Sequence, residues 1–177
     1  MNKTEKTVYE KSTVVQWLDG MIEPLIQLIT YGPAAALIGI RRGGVDVGQY
    51  LHEELTRRGG TLHKEMGELN IAFYRDDFSS IGLHPVVGAS HVPFDVTGKH
   101  IILVDDVLGT GRTVRAAMNE IFDYGRPAKI TLAVLLQRTD HELPIRADVI
   151  GQTLQVGSND YIDLDADRMQ VHVGAKS

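Results

Sequence analysis

Cysteine is missing from all 177 residues, so disulfides and thiol-ligated metal sites are excluded and a reducing, cytoplasmic address is the simplest expectation. No run of about 18 apolar residues occurs, nor any signal-peptide pattern, so neither a membrane span nor export is expected. Positive charge is not in excess. Lys and Arg number 18 against 23 Asp and Glu, a net charge of -5. That balance gives no global footprint for nucleic acid, although a local basic patch can sit within an acidic average. The 7 histidines show no His-x-x-x-His spacing that would mark a metal cage. Repeats, low-complexity tracts and interdomain linkers are also lacking, so residues 1–177 read as one domain with a real core.

What is present is concentrated in one stretch. Ile101-Ile102-Leu103-Val104 reads as a buried strand and Asp105-Asp106 as its acidic end. Val107-Leu108-Gly109-Thr110-Gly111-Arg112-Thr113 reads as a loop, and the spacing of Val114, Ala117, Met118 and Ile121 as the helix after it. A helix start presents unpaired N–H groups and the positive end of its dipole, which suits a phosphate. Gly109 and Gly111 permit close backbone approach, while Thr110 and Thr113 add hydroxyl donors. The two carboxylates would repel that anion, so they call for sugar hydroxyls, a metal or a developing cation. A ligand with a phosphate at one end and a ribose at the other meets both demands. A Rossmann fingerprint would require Gly at Val114 and a Walker P-loop a Gly-Lys-Ser/Thr, and neither is there.

This stretch resembles the signature of type I phosphoribosyltransferases, which bind phosphoribosyl pyrophosphate. The wider run through Arg126-Pro127, Leu132-Ala133-Val134-Leu135 and Glu142-Leu143-Pro144-Ile145-Arg146-Ala147-Asp148 resembles one branch, the PyrR family. Its members are pyrimidine-operon regulators that are also uracil phosphoribosyltransferases. The resemblance is strong over residues 36–151 and weak at both ends.

Taken in order, residues 1–11 are polar, of mixed charge, and expected to fray. A helix is expected from Ser12, its cap, with Val14, Val15, Trp17, Leu18, Met21 and Ile22 on an apolar face. Pro24 either kinks that helix or starts a second one through Ile29, and Gly32-Pro33 ends it. Residues 35–40 read as the first core strand, followed by Arg41-Arg42-Gly43-Gly44 and a helix from Val45 to Arg58. Residues 68–74 read as the next strand, and 75–98 as a long connection of the functional or flexible kind, with a short strand at Asp95-Val96-Thr97. After the central strand and the helix 113–124 come a continuous apolar strand over 129–136, a shorter one at 147–150, and weak candidates at 152–156, 161–164 and 169–173. Strand, loop and helix in this rhythm build a parallel sheet, whose ligands sit outside the strand C-termini. Arg41-Arg42, Arg75 and Asp105-Asp106 all fall at such ends.

The resemblance implies an α/β type I phosphoribosyltransferase fold: a central, mostly parallel sheet flanked by helices, with a small hood and a flexible loop. It implies transfer from phosphoribosyl pyrophosphate to uracil, giving UMP and pyrophosphate, with substrate-bound Mg²⁺ and a homodimer or higher homo-oligomer. Asp105 and Asp106 would hold the ribose hydroxyls, and residues 107–113 the 5-phosphate. Arg112 either points at that phosphate or forms a salt bridge. Arg41, Arg42 and Gly43 would line a pyrophosphate loop, which in the family often contains a non-proline cis peptide. Relatives commonly show Thr-Arg-Gly where this chain has Arg42-Gly43-Gly44. Arg75, in Tyr74-Arg75-Asp76-Asp77-Phe78, would reach pyrophosphate from a closing lid, and Arg138 and Val149 would fall at the base.

Regulatory members bind leader RNA through a basic face that includes the N-terminal helix. Residues 12–30 contain no Lys or Arg here, but do contain Asp19 and Glu23, which counts against RNA binding by that face. Arg57-Arg58, Lys64 and Lys129 form the alternative basic patch. The competing functional readings are an attenuator with little catalysis and a transferase acting on a purine base.

Overall fold

The computed structural model describes residues 3–71 and 89–176. Its elements are β1 (Lys3–Tyr9), α1 (Lys11–Thr30), β2 (Ala35–Ile40), α2 (Gly43–Arg57), β3 (Gly67–Leu69), β4 (His100–Leu108), α3 (Arg112–Tyr124), β5 (Lys129–Arg138), β6 (Val149–Leu154), β7 (Asp160–Asp165) and β8 (Gln170–Lys176). Five strands form a parallel sheet in the order β3-β2-β4-β5-β6. The other three form an antiparallel sheet, β1-β8-β7, which joins the two ends of the described chain.

The inner strands β2, β4 and β5 carry the apolar runs 35–40, 101–104 and 132–136 because both of their faces are covered there. In β2, Ala35 and Leu37 join the cluster under α1 and α2, while Ala36, Ile38 and Ile40 join the one under α3. Side chains alternate across a strand, so each run feeds two cores at once. Helix α1 runs straight through Pro24: Val14, Leu18, Met21, Ile22, Leu25 and Ile29 keep one spacing across it and all are buried. That face therefore lies inside the chain, packed on the sheet and on Val171 and Val173 of β8, and is not an outer surface for a second copy.

Several expectations change. Residues 3–9 are paired with β8 instead of fraying, and α1 starts at Lys11 with Glu10 as its cap position. Helix α2 starts at Gly43, two residues before Val45. Strand β3 spans three residues, and Asp95–Thr97 is a turn in which Asp95 Oδ1 accepts the Thr97 N–H at 2.8 Å. The expected strand at 147–150 and the candidate at 152–156 merge into β6. Arg75 and most of the 75–98 connection lie outside the described residues. Its end returns to β3, where Glu68 and His91 exchange backbone hydrogen bonds of 2.7 and 2.8 Å.

At the N-terminal end of the central strand β4, His100 is 1% exposed and shares a 2.8 Å hydrogen bond with the Thr131 hydroxyl. Its other ring nitrogen has no hydrogen-bond partner among the described residues. Burial first, then the Lys129 charge, hold its pKa below the ordinary 6.5, with Asp148 opposing. The unfolded chain takes up this proton at a higher pH than the folded one. Stability is therefore complete above about pH 6.5 and declines as pH falls below that value. His100→Gln, which can still bond Thr131, should flatten this decline in denaturant midpoints measured from neutral to mildly acidic pH.

Candidate active site

Strands β2 and β4 are neighbours, with Gly39 level with Val104, so the chain leaving β2 runs alongside Asp105 and Asp106. The approach is too close for side chains. A Cβ added at Gly43 would lie 2.7 Å from Asp106 Cγ, and one at Gly44 would lie 2.6 Å from the Val104 carbonyl oxygen and 2.9 Å from Asp105 Cα. Two glycines thus let the first turn of α2 press on the end of β4. The Arg41–Gly44 and Asp105-Asp106 motifs, over 60 residues apart in sequence (105 − 44 = 61), lie side by side at the C-terminal ends of β2 and β4, where a parallel sheet is expected to offer its ligand crevice.

The acid pair lies within β4, which stays paired with β5 from His100 to Leu108 instead of ending at Val104. Asp105 is 3% exposed and its Oδ1 accepts the Asp106 N–H at 3.0 Å. Asp106 is half-buried and accepts the Val107 N–H at the same distance. Asp46, in the first turn of α2, has a raised pKa: burial raises it, and then the charges of Asp106, Asp167 and Glu68 do so too. The Asp46 backbone N–H opposes that rise. No group of three His, Cys, Asp or Glu with metal-holding geometry occurs among the described residues, so an ion there would need ligands from a substrate.

Arg41 is held by Glu68, whose Oε2 accepts from Nε at 3.0 Å and from Nη2 at 2.8 Å. Arg42, joined to it by a cis peptide, is exposed at the cap position of α2 and has no side-chain partner among the described residues. On the other side, Leu108 is buried and Gly109-Thr110-Gly111 turns the chain into α3, Gly111 at φ 92°. Arg112, whose two options were phosphate or salt bridge, pairs with Glu142 at 2.7 and 3.2 Å.

The two residues expected at the base are otherwise engaged. Arg138 donates to Asp140 at 2.8 Å, to the Asp160 carbonyl at 2.7 Å and to the Gly157 carbonyl at 3.0 Å. The bond to Asp140 holds its pKa above the ordinary arginine value. Val149, 5% exposed, begins β6 level with Ala133 and belongs to the core under α1, one row short of Asp105. Gln137 was not singled out from the sequence. It pairs in register with Leu108 on one side and Thr153 on the other, and its buried Oε1 has no hydrogen-bond partner among the described residues. A lone amide ending the apolar run 132–136 was the available signal.

The alternative basic patch is largely neutralised: Arg57 pairs with Glu54, and Arg58 with Asp19 and Glu54. A concavity of about 280 Å³ beside Pro33, Ala34, Gly59 and Gly60 lies before the start of β2, and no charged side chain lines it.

A family model described as the phosphoribosyl transferase domain matches residues 7–166. The Bifunctional protein PyrR of Nitrosococcus oceani is 56% identical over 129 residues, 73% of this chain and 71% of that relative. The Pseudomonas aeruginosa protein of the same name is 50% identical over 127 residues, 72% of each. The chain belongs to the PyrR family of type I phosphoribosyltransferases. The family's fold is matched by distant solved structures. The hypoxanthine phosphoribosyltransferase of Trypanosoma cruzi superposes with a TM-score of 0.70 at 15% identity over 98% of both chains. That of Staphylococcus aureus gives 0.70 at 14% identity, over 100% of this chain and 98% of that one. Among the described residues, no helix is long and apolar enough to cross a membrane.

Proposed function

We propose that the chain is a cytoplasmic uracil phosphoribosyltransferase, converting uracil and phosphoribosyl pyrophosphate to UMP and pyrophosphate. The observation that carries this reading is the contact of the Gly43-Gly44 turn with Asp105-Asp106, one residue pair on from which the glycine loop begins. A sugar bridging that crevice would have its pyrophosphate at the start of α2 and its 5-phosphate at the start of α3.

In this reading the loop N–H groups and the Thr110 and Thr113 hydroxyls hold the 5-phosphate, while Asp105 and Asp106 face the ribose hydroxyls. Arg42 is the guanidinium that meets pyrophosphate, since Arg41 is tied to Glu68. Arg75 keeps its proposed role of reaching pyrophosphate from the lid. The bond from the anomeric carbon to pyrophosphate breaks with its electron pair leaving on pyrophosphate, the uracil nitrogen bonds to that carbon, and the nitrogen's proton is lost. Positive charge on the sugar is greatest midway, where the acid pair stabilises it. The carboxylates fit Mg²⁺, which favours one or two of them together with substrate oxygens and water, and which would neutralise the departing pyrophosphate. Gln137 is proposed to read the base, because an amide can donate and accept against uracil's alternating C=O and N–H edge.

Pyrophosphate release tests the reading: uracil should support it, hypoxanthine and xanthine should not, and chelation of Mg²⁺ should stop it. Release with hypoxanthine alone, or with no base, overturns the substrate assignment. Gln137→Leu is expected to raise the KM for uracil about tenfold, the worth of one hydrogen bond, with the KM for phosphoribosyl pyrophosphate held. An unchanged uracil KM removes Gln137 from the base site.

The name of the relatives, bifunctional, favours one second reading, a regulator that binds leader RNA and senses uridine nucleotides in the same crevice. The acidic α1 and the paired Arg57 and Arg58 weigh against it. Filter binding of leader RNA across a salt series decides: active catalysis without specific retention leaves the enzyme alone. Self-association as a homodimer or higher oligomer belongs to the same proposal and would use a surface other than the apolar face of α1.

A further inference from the structure

In a trans peptide the C=O and N–H point in opposite directions, so whatever holds a carbonyl also aims the next N–H. In the loop between β4 and α3, two carbonyls are held by the segment that follows β5. The His141 ring Nδ1 lies 2.8 Å from the Gly109 oxygen, and the Leu143 N–H donates to the Thr110 oxygen at 3.0 Å. A carbonyl can only accept, so Nδ1 of His141 carries the proton. Both loop peptides are trans, the cis bond among the described residues being Arg41–Arg42. The N–H groups of Thr110 and Gly111 therefore point away from residues 141–143, and that of Gly111 has no acceptor among the described residues. The two segments lie flush: a Cβ on Gly111 would be 3.3 Å from Leu143 Cβ and 3.4 Å from Ile145 Cβ.

Arg112, the one arginine in the loop sequence 107–113, donates to Glu142 of the same segment. With that charge paired, affinity for an anion depends mainly on how the backbone N–H groups are aimed. A Gly109 carbonyl released to rotate would bring its negative end toward the anion and take an N–H away.

We infer that His141 is a positioning residue for this loop, holding the Gly109 carbonyl outward so that the amides converge on the phosphate of a phosphoribosyl ligand. The inference rests on the function proposed above and adds the residue that sets the affinity for the sugar phosphate.

The test is calorimetric binding of phosphoribosyl pyrophosphate with Mg²⁺ to the wild type, His141→Leu and His141→Asn, with steady-state kinetics on the same proteins. Loss of one ordering hydrogen bond should weaken binding of phosphoribosyl pyrophosphate by His141→Leu, and raise its KM, about tenfold. The kcat and the KM for uracil should stay near wild type. Asn places an amide donor close to the position of Nδ1, so His141→Asn should restore most of the affinity, which a purely space-filling role would not. A Leu variant that binds as tightly as wild type, or an Asn variant as weak as Leu, overturns the inference. His141→Ala replaces Leu if the latter does not fold. A wild type that binds no phosphoribosyl pyrophosphate overturns the function reading and this inference together, an outcome distinct from equal binding by all three proteins.

Discussion

Replacing both Asp105 and Asp106 by Asn is expected to lower turnover at least about a thousandfold while leaving the fold intact. One full charge at ~4 Å in an effective dielectric of about 20 contributes about 4 kcal/mol before desolvation. At about 1.4 kcal/mol per tenfold, that is the expected loss in rate. The fold should survive because Asn keeps an oxygen able to accept the Asp106 and Val107 N–H bonds, each 3.0 Å long. Removing a nearly buried charge from Asp105, 3% exposed, also relieves desolvation. Pyrophosphate release and thermal melting measure the two sides. Activity within about tenfold of wild type would falsify the assignment of these carboxylates to the sugar.

Gly44→Ala should do the most damage for the smallest change. The new methyl would meet backbone, the Val104 oxygen at 2.6 Å and Asp105 Cα at 2.9 Å, and neither can swing aside. Overpacking of this kind costs about 1–3 kcal/mol, and relief can come only by lifting α2 off β4. Turnover should fall with stability, because lifting α2 opens the crevice between Arg42 and the acid pair. Gly43→Ala is the comparison. Its methyl would press on the Asp106 side chain, whose carboxylate, 2.7 Å away at Cγ, can rotate, leaving a contact of 2.9 Å to Cβ. Denaturant midpoints should therefore rank wild type, Gly43→Ala, Gly44→Ala in falling order. A Gly44→Ala midpoint equal to wild type would show that the helix start is not pressed on the strand.

The strands with both faces covered were legible in sequence, since 35–40 and, within 129–136, residues 132–136 are unbroken apolar runs, and both became inner strands. Helix α3 was legible through its spacing, with Val114, Ala117 and Ile121 buried as that spacing requires. Pairing over long separations was not. Strand β1 is a polar segment whose partner begins at the far end of the chain, Lys3 opposite Lys176, so no local pattern marks it. The expected strands 147–150 and 152–156 left Gly151 between them, yet it lies within β6, where a Cβ would come 2.6 Å from the Leu135 carbonyl oxygen. A glycine in a strand can mark such close approach as well as an end.

The site was legible where a motif is local and opaque where partners are remote. The loop after Leu108 and the acid pair came from contiguous residues. The choice between Arg41 and Arg42 depended on Glu68, and that of Arg112 on Glu142, 30 positions away. Arg138 and Val149 were assigned by their position alone, and the bonds of Arg138 to the Gly157 and Asp160 carbonyls and the packing of Val149 under α1 were not readable from it.

The joining of β1 to β8 also dictates an order of events during synthesis. Strand β1 must wait for β8, since 173 positions (176 − 3) separate Lys3 from its partner. Closing so long a loop carries an entropic penalty that local pairing does not. The parallel sheet, whose strands β2 to β6 are complete by Leu154, can assemble while the final hairpin is still being made. The antiparallel sheet then forms after the parallel one, its Val171 and Val173 completing the core under α1.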